Sequence, residues 1–145
     1  MLTVTGSGEA TARRERIVKR AAKEFKDGMY VNLGIGMPLI APSYVSEGVE
    51  VVLQAENGIL GLGGYPKPGE EDPDCINPGK ETVTLGRGAS VFGSQESFGM
   101  IRSGRIDLTM LGALQVSQYG GTYILPGLLN TSTNLCRPGE LHAPR

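Results

Sequence analysis

The stretch MYVNLGIGMPLIAPSYVSEGVEVVLQA, residues 29–55, predicts the class of fold. It begins with an apolar strand that ends in a turn at Gly34 and Gly36, and Pro38 suits the first turn of a short helix. The run at residues 49–55 is almost continuously apolar, as a parallel strand covered on both faces requires. Strand, helix and strand in this order predict an α/β fold with an open, mainly parallel sheet and helices on its faces.

The segment before this unit, ATARRERIVKRAAKEFKDG at residues 10–28, predicts a first helix. One helical stripe is apolar and consists of Ile17, Val18, Ala21, Ala22 and Phe25. Gly28 stands where a residue that ends a helix belongs. The arginines and lysines on the other faces are typical of a solvated helix surface rather than of a phosphate site.

The segment after this unit predicts a long connection followed by two more strands and a helix. Residues 58–80 are rich in Gly, Pro, Asp and Glu, and a connection of this length usually has a functional role. ETVTLG at residues 81–86 and RIDLTMLGALQV at residues 105–116 predict strands. SQESFGMIRSG at residues 94–104 predicts a helix that Ser94 can cap.

Composition excludes several classes of partner. The chain has 145 residues, 14 basic against 15 acidic groups and 6% aromatic content, without a long block of one charge. One ordinary domain is expected, with neither a nucleic-acid groove nor a membrane-binding surface. Cys75 and Cys136 are too few for a disulfide framework, which predicts free thiols in a reducing compartment.

Ligands of open α/β sheets lie beyond the carboxyl ends of the strands, where Asn32, the Gly34 and Gly36 turn, and Glu56 are expected to gather. Dinucleotide and P-loop motifs both fail here, since Leu39 stands where the first motif needs glycine and Gly79-Lys80 lacks the required neighbours. The only histidine, His142, stands in a polar tail, which argues against a histidine-assisted nucleophile and against a histidine-rich metal site.

Among the kinds of catalytic site considered, one that uses a carboxylate remains. Glu56 follows a buried strand and precedes small residues that allow close approach of a substrate, so it can act as a nucleophile toward an acyl group. The alternative is an ordinary turn carboxylate, with Asn57-Gly58 forming a hairpin turn. The residues alone leave both open.

Four motifs then resemble one family. The stretches DGMYVNLGIGMP, LQAENGILGLGGYP, INPGKETVT and SQESFGMIRSGRIDLTMLGALQVSQYG closely resemble, in order, the β half of succinyl-CoA:3-ketoacid CoA-transferases. The resemblance covers residues 13–120, between a linker-like segment at residues 1–12 and a divergent tail at residues 121–145 that is expected to be poorly ordered. It implies an incomplete CoA-transferase-like α/β domain.

The resemblance also implies an activity. CoA would move from succinyl-CoA to a 3-oxo acid such as acetoacetate, in ketone-body metabolism, after Glu56 attacks the thioester carbonyl. Asn32 is implied as a hydrogen-bond partner of the substrate and Lys80 as a cation for a carboxylate or CoA. For Asn32 the alternative is a bond to a strand end, and for Lys80 it is an exposed loop charge.

The remaining expectations concern the surroundings of Glu56 and its partners. Gly34, Gly36, Asn57 and Gly58 are expected in the substrate site, where backbone N–H groups stabilise developing negative charge. The resemblance implies coenzyme A as a substrate rather than a cofactor, and no metal is expected. The resemblance implies an α half as partner, a homo-oligomer when complete, and the mitochondrial matrix, although the start MLTVTGSGEATARRER is not a clear targeting peptide and the cytoplasm is the alternative.

Departures from the family pattern leave a second hypothesis open. Ala55 stands where the family has serine, and the tail GTYILPGLLNTSTNLCRPGELHAPR replaces a glycine-rich loop that supplies an oxyanion-hole amide. The alternative is therefore a non-catalytic remnant, or a domain that binds CoA or a partner without turnover. A sugar-phosphate isomerase or ligand-sensing domain is a weaker alternative, which the Glu-Asn-Gly sequence argues against.

Overall fold

A computed structural model of the chain describes residues 8–113, 115–116, 122–123 and 132–136. The tail at residues 121–145, including His142, lies outside the described residues except for two short strands. In chain order the elements are α1 (Glu9–Ala22), β1 (Tyr30–Leu33), α2 (Met37–Ile40), a 3₁₀ turn (Ala41–Tyr44), β2 (Val52–Ala55), β3 (Ile59–Leu62), β4 (Leu85–Val91), α3 (Ser94–Arg102), β5 (Leu108–Ala113), β6 (Gln115–Val116), β7 (Thr122–Tyr123) and β8 (Ser132–Cys136).

Six of the strands form one open sheet in the order β4-β3-β2-β1-β5-β8. The predicted α/β class with helices on the sheet is confirmed. The centre of the sheet is parallel, since β1 pairs in parallel with both β2 and β5. The outer strands are antiparallel, so the sheet is mixed rather than mainly parallel. For β3 the reason is that β2 turns directly into it as a hairpin, without a crossover.

The two faces of the central strands differ in chemistry. Val31, Leu33, Leu108 and Met110 pack with α1 in a buried apolar cluster. Side chains alternate across a strand, so residues between them point to the other face. There Asn32 lies beside Gln54 on β2 and beside Thr109 on β5, and all three are buried.

The first helix ends earlier than predicted. After Ala22 the N–H groups of Lys23, Glu24 and Phe25 bond to carbonyls three residues back, which tightens the last turn. Phe25 is still buried with the apolar stripe. Gly28 has a positive φ of 76° but does not cap the helix, because its N–H donates to Glu50 O at 2.8 Å, just before β2.

Three further predictions were wrong in detail. The connection predicted at residues 58–80 contains strand β3, whose first residue Ile59 pairs with Ala55 across a hairpin. Ser94 does not cap α3, because the N-cap position belongs to Gly93, whose carbonyl accepts from the N–H groups of Glu96 and Ser97. The strand predicted at residues 81–86 starts only at Leu85.

Candidate functional site at the Glu56 turn

The turn that carries Glu56 joins β2 to β3. Ala55 pairs with Ile59, and the Gly58 N–H donates to Ala55 O at 3.0 Å, which closes the turn. Glu56 is partly buried and Asn57 is exposed. Asn57 and Gly58 therefore lie in a hairpin turn, as expected if Glu56 were an ordinary turn carboxylate. The same turn places Glu56 at the carboxyl end of a central parallel strand.

Only glycine fits at position 58. Its φ is 114°, which side chains rarely adopt, and an added Cβ would lie 1.9 Å from Phe92 O. The approach is fixed by a hydrogen bond from Phe92 N to Gly58 O of 2.9 Å. The glycine therefore allows the turn to pack against the backbone that leads into α3.

Burial changes the acidity of Glu56. Loss of hydration raises the pKa of its carboxyl above the ordinary glutamate value, and a hydrogen bond from its own backbone offsets part of this effect. A raised pKa makes the carboxylate a stronger base and nucleophile than an exposed glutamate while it stays ionised. The predicted nucleophile thus lies in a partly dehydrated environment.

A chain of buried polar side chains runs beneath the turn. The Asn32 side-chain nitrogen donates to Gln54 Oε1 at 2.6 Å and to Gln54 O at 3.4 Å. Gln54 Nε2 donates to Ser97 Oγ and, at 3.2 Å, to Ser97 O. Ser97 Oγ donates to Ala55 O at 2.8 Å. Asn32 is therefore connected to the turn through Gln54 and Ser97.

Sequence reasoning missed both Gln54 and Ser97. Gln54 lies within a run that is otherwise apolar, yet its side chain has no exposed surface. An amide in a strand buried on both faces needs partners, because an unsatisfied buried polar group is costly. That requirement was the available signal for Gln54; Ser97, at the fourth position of a short helix, gave no comparable signal.

The glycines after β1 have separate roles. Gly34 N donates to Met110 O at 2.8 Å, and a Cβ on Gly34 would lie 3.3 Å from the same oxygen, so the residue allows β1 and β5 to approach closely. Gly36 has a φ of 88° and precedes α2 as its N-cap. Both stand just past the end of β1, where they were predicted to form a turn.

Lys80 lies at the tip of a second turn. Its side chain is exposed, its φ is 64°, and its N–H donates to Asn77 O at 2.9 Å. Among the described residues it forms no ion pair with Glu56. The segment that leads to it is nevertheless tied to the Glu56 turn, because Asn57 Nδ2 donates to Ile76 O at 2.7 Å.

An apolar cavity of about 570 Å³ adjoins this second turn. Leu33, Leu53 and Val83 line it together with Tyr65 and Asn77 from the loop. Tyr65 Oη and Asn77 Nδ2 both donate to Glu81 Oε2 at 2.9 Å. Tyr65 is half-exposed, and partial desolvation, followed by this bond to Glu81, raises its pKa to about 12. The lining favours an uncharged part of a ligand.

Other kinds of site are not found in the part of the chain that the structure describes. It contains no group of three or more His, Cys, Asp or Glu side chains that could hold a metal ion. None of the helices within these residues is long and apolar enough to cross a membrane. Cys75 is a free thiol; the side chain of Cys136 lies outside the described part of the molecule.

Comparisons with known proteins define the family. The family model described as Coenzyme A transferase matches residues 14–125. The chain belongs to this family of CoA-transferases, as its motifs and fold predict.

The curated relatives have more specific names. The chain is 56% identical over 124 residues to the mitochondrial succinyl-CoA:3-ketoacid coenzyme A transferase 2A of Rattus norvegicus, covering 84% of the chain and 24% of the relative. It is 59% identical over 107 residues to the B subunit of the succinyl-CoA:3-ketoacid coenzyme A transferase of Helicobacter pylori (strain ATCC 700392 / 26695), covering 74% of the chain and 51% of the relative. The B subunit of a probable succinyl-CoA:3-ketoacid coenzyme A transferase of Bacillus subtilis (strain 168) is 56% identical over 116 residues, covering 79% and 54%. The chain thus spans about a quarter of the mitochondrial relative and about half of each bacterial one.

Proposed function

We propose that this chain supplies the nucleophile of a succinyl-CoA:3-ketoacid CoA-transferase and acts only together with the parts of such an enzyme that it does not span. The observation that carries the proposal is Glu56 itself: a partly buried carboxylate with a raised pKa, held on a glycine turn at the end of a central strand. The names of the relatives support the reaction and the substrates.

The chemistry follows from one carboxylate acting twice. A Glu56 oxygen attacks the thioester carbonyl of succinyl-CoA, and the CoA thiolate leaves as a mixed anhydride of Glu56 and succinate forms. The thiolate then attacks the glutamyl carbonyl and releases succinate, which leaves CoA on Glu56 as a thioester. A 3-oxo acid such as acetoacetate reverses these steps and departs as its CoA ester. Water must be excluded throughout, because it would hydrolyse either intermediate.

The other residues receive supporting roles. Gly34, Gly36, Asn57 and Gly58 would border the acyl-CoA site. The N–H groups of Gly34 and Gly58 already donate to Met110 O and Ala55 O, so the N–H that faces the developing oxyanion would be that of Gly36 or Asn57. Lys80, on the turn connected to Asn57 through Ile76, would attract a carboxylate or a phosphate of CoA. Asn32 was expected to hydrogen-bond the substrate, but it is 1% exposed and donates to Gln54 Oε1 and O, so it would support the site from beneath the turn.

The assembly and location are part of the proposal. The bacterial relatives are named as B subunits, which supports an α half as the partner. The complete form is proposed to be a homo-oligomer. Relatives named mitochondrial support the mitochondrial matrix, and the bacterial relatives support the cytoplasm as the alternative.

The test is covalent capture. The chain is combined with a separately expressed α half, incubated with acetoacetyl-CoA, digested and examined by mass spectrometry. A CoA adduct is expected on the peptide that contains Glu56, and Glu56→Ala should abolish it. An adduct that persists in the variant would reject Glu56 as nucleophile. Binding of CoA without any adduct would support instead the alternative of a non-catalytic binding domain.

A further inference from the structure

The hydrogen-bonded side chains of Asn32, Gln54 and Ser97 lie buried beneath the Glu56 turn. Burying them costs desolvation free energy, whereas burying the apolar core around them does not. Gln54 and Ser97 have no exposed surface, and Asn32 is 1% exposed. Replacing such groups by apolar ones of the same shape can be nearly neutral for stability. Their bonds to each other therefore do not by themselves explain why polar groups occupy this place.

The directions of these hydrogen bonds show that the buried polar side chains end on the backbone of the Glu56 turn. Asn32 donates to Gln54, Gln54 donates to Ser97, and the Ser97 hydroxyl donates to the carbonyl of Ala55. The same carbonyl accepts the Gly58 N–H that closes the turn. One oxygen thus receives both the bond that forms the turn and the bond that ends the buried chain.

A second attachment lies at the other end of the turn. Phe92 N donates to Gly58 O at 2.9 Å, and Phe92 O would lie 1.9 Å from a Cβ added to Gly58. Phe92 is five residues before Ser97 in the chain, and Gly93 links the two as the N-cap of α3. The segment at the start of α3 therefore forms hydrogen bonds to the turn at Ala55 and at Gly58, one on either side of Glu56.

We propose that Gln54 and Ser97 are positioning residues for Glu56: Gln54 orients the Ser97 hydroxyl, and this hydroxyl fixes the Ala55 carbonyl, so that the carboxylate of the next residue is held partly buried. The inference deepens the proposed function and rests on it for its catalytic meaning. Neither side chain touches the substrate in this scheme, and both act through the backbone of the turn.

The experiment compares two serines that make the same kind of bond. Ser97→Ala removes the donor to Ala55 O, and Ser103→Ala removes a hydroxyl that donates to Met100 O at 3.1 Å at the exposed end of the same helix. The pKa of Glu56 is measured in the 145-residue chain by ¹³C carboxyl NMR, with Glu56→Gln assigning the resonance. Folding of each variant is checked by its amide spectrum.

The expected result is specific to one serine. In Ser97→Ala the turn loses its bond to α3 and Glu56 becomes more exposed to water. The pKa of Glu56 should then fall by at least half of the difference between its parent value and the pKa of an exposed glutamate. Ser103→Ala leaves it unchanged. A folded Ser97→Ala chain in which Glu56 titrates as in the parent overturns the proposal, since a purely structural serine would lower stability only.

A second variant applies if Ser97→Ala does not fold. Ser97→Cys keeps the shape of the side chain and replaces the hydroxyl by a weak donor, so Glu56 should titrate below its parent pKa, and an unchanged pKa again overturns the proposal. Failure of Glu56 to form a CoA adduct would reject the proposed function. It would not affect the comparison of the two serine variants, because the carboxyl titration requires no turnover.

Discussion

Gly58→Ala provides the sharpest test of how the Glu56 turn is built. The alanine must adopt a φ of 114°, which costs about 1–3 kcal/mol for a residue with a side chain. Its Cβ would also lie 1.9 Å from Phe92 O, a backbone atom that can move only with the start of α3. Such overpacking costs a further about 1–3 kcal/mol. The total of about 2–6 kcal/mol is a large part of the about 5–15 kcal/mol that typically stabilises a domain.

The assay is denaturant unfolding, with Gly28→Ala as the matched control. Gly28 also has a positive φ, 76°, but nothing lies within 4 Å of an added Cβ. The control therefore measures the conformational cost alone, about 1–2 kcal/mol. Gly58→Ala should unfold at clearly lower denaturant than Gly28→Ala. Equal midpoints, with equal slopes, would refute the close packing of the turn against Phe92.

Two further predictions concern single charges. Because burial raises the pKa of Glu56 in the folded chain, its stabilising contribution is present below the ordinary glutamate pKa and is lost as the pH rises through the raised value. Glu56→Gln should therefore exceed the parent in unfolding midpoint at neutral pH, with the difference shrinking to nothing in acid; a difference that is constant with pH would contradict the buried carboxylate. Lys80→Gly should raise stability by up to about 1 kcal/mol, since glycine adopts a φ of 64° without strain. In the assembled enzyme it should also raise KM in a salt-sensitive way, and an unchanged KM would make Lys80 a solvated loop charge.

The centre of the sheet could be predicted from the sequence because its signals are local. Residues 29–33 and 49–55 are apolar runs around a short helix, and such runs belong to parallel strands covered on both faces. The antiparallel edges could not be predicted in the same way. Ile59–Leu62 is a short apolar segment interrupted by Gly61, and its strand character comes from pairing with β2 and β4 rather than from its own residues. The Asn57-Gly58 pair was the one local sign of the hairpin.

The residues of the candidate site also differ in whether the sequence could predict them. Glu56, Asn57 and Gly58 could be predicted together because they are neighbours in sequence, and the structure places them in one turn. Gln54 and Ser97 lie 43 residues apart and meet only through the packing of α3 on the sheet. No spacing rule connects a strand residue to a helix residue at that separation, so their contact had to come from the fold.

The order of side chains along β2 explains how an acid can lie here at all. A fully buried carboxylate would be held in its neutral form at physiological pH, and a neutral acid is a poor nucleophile. Burial in this strand is complete at Gln54 and Ala55 and only partial at Glu56. The uncharged amide of Gln54 thus occupies the dry position and makes the bonds that anchor the turn. Glu56 stands two residues further, where burial is only partial and dehydration raises the pKa of its carboxyl.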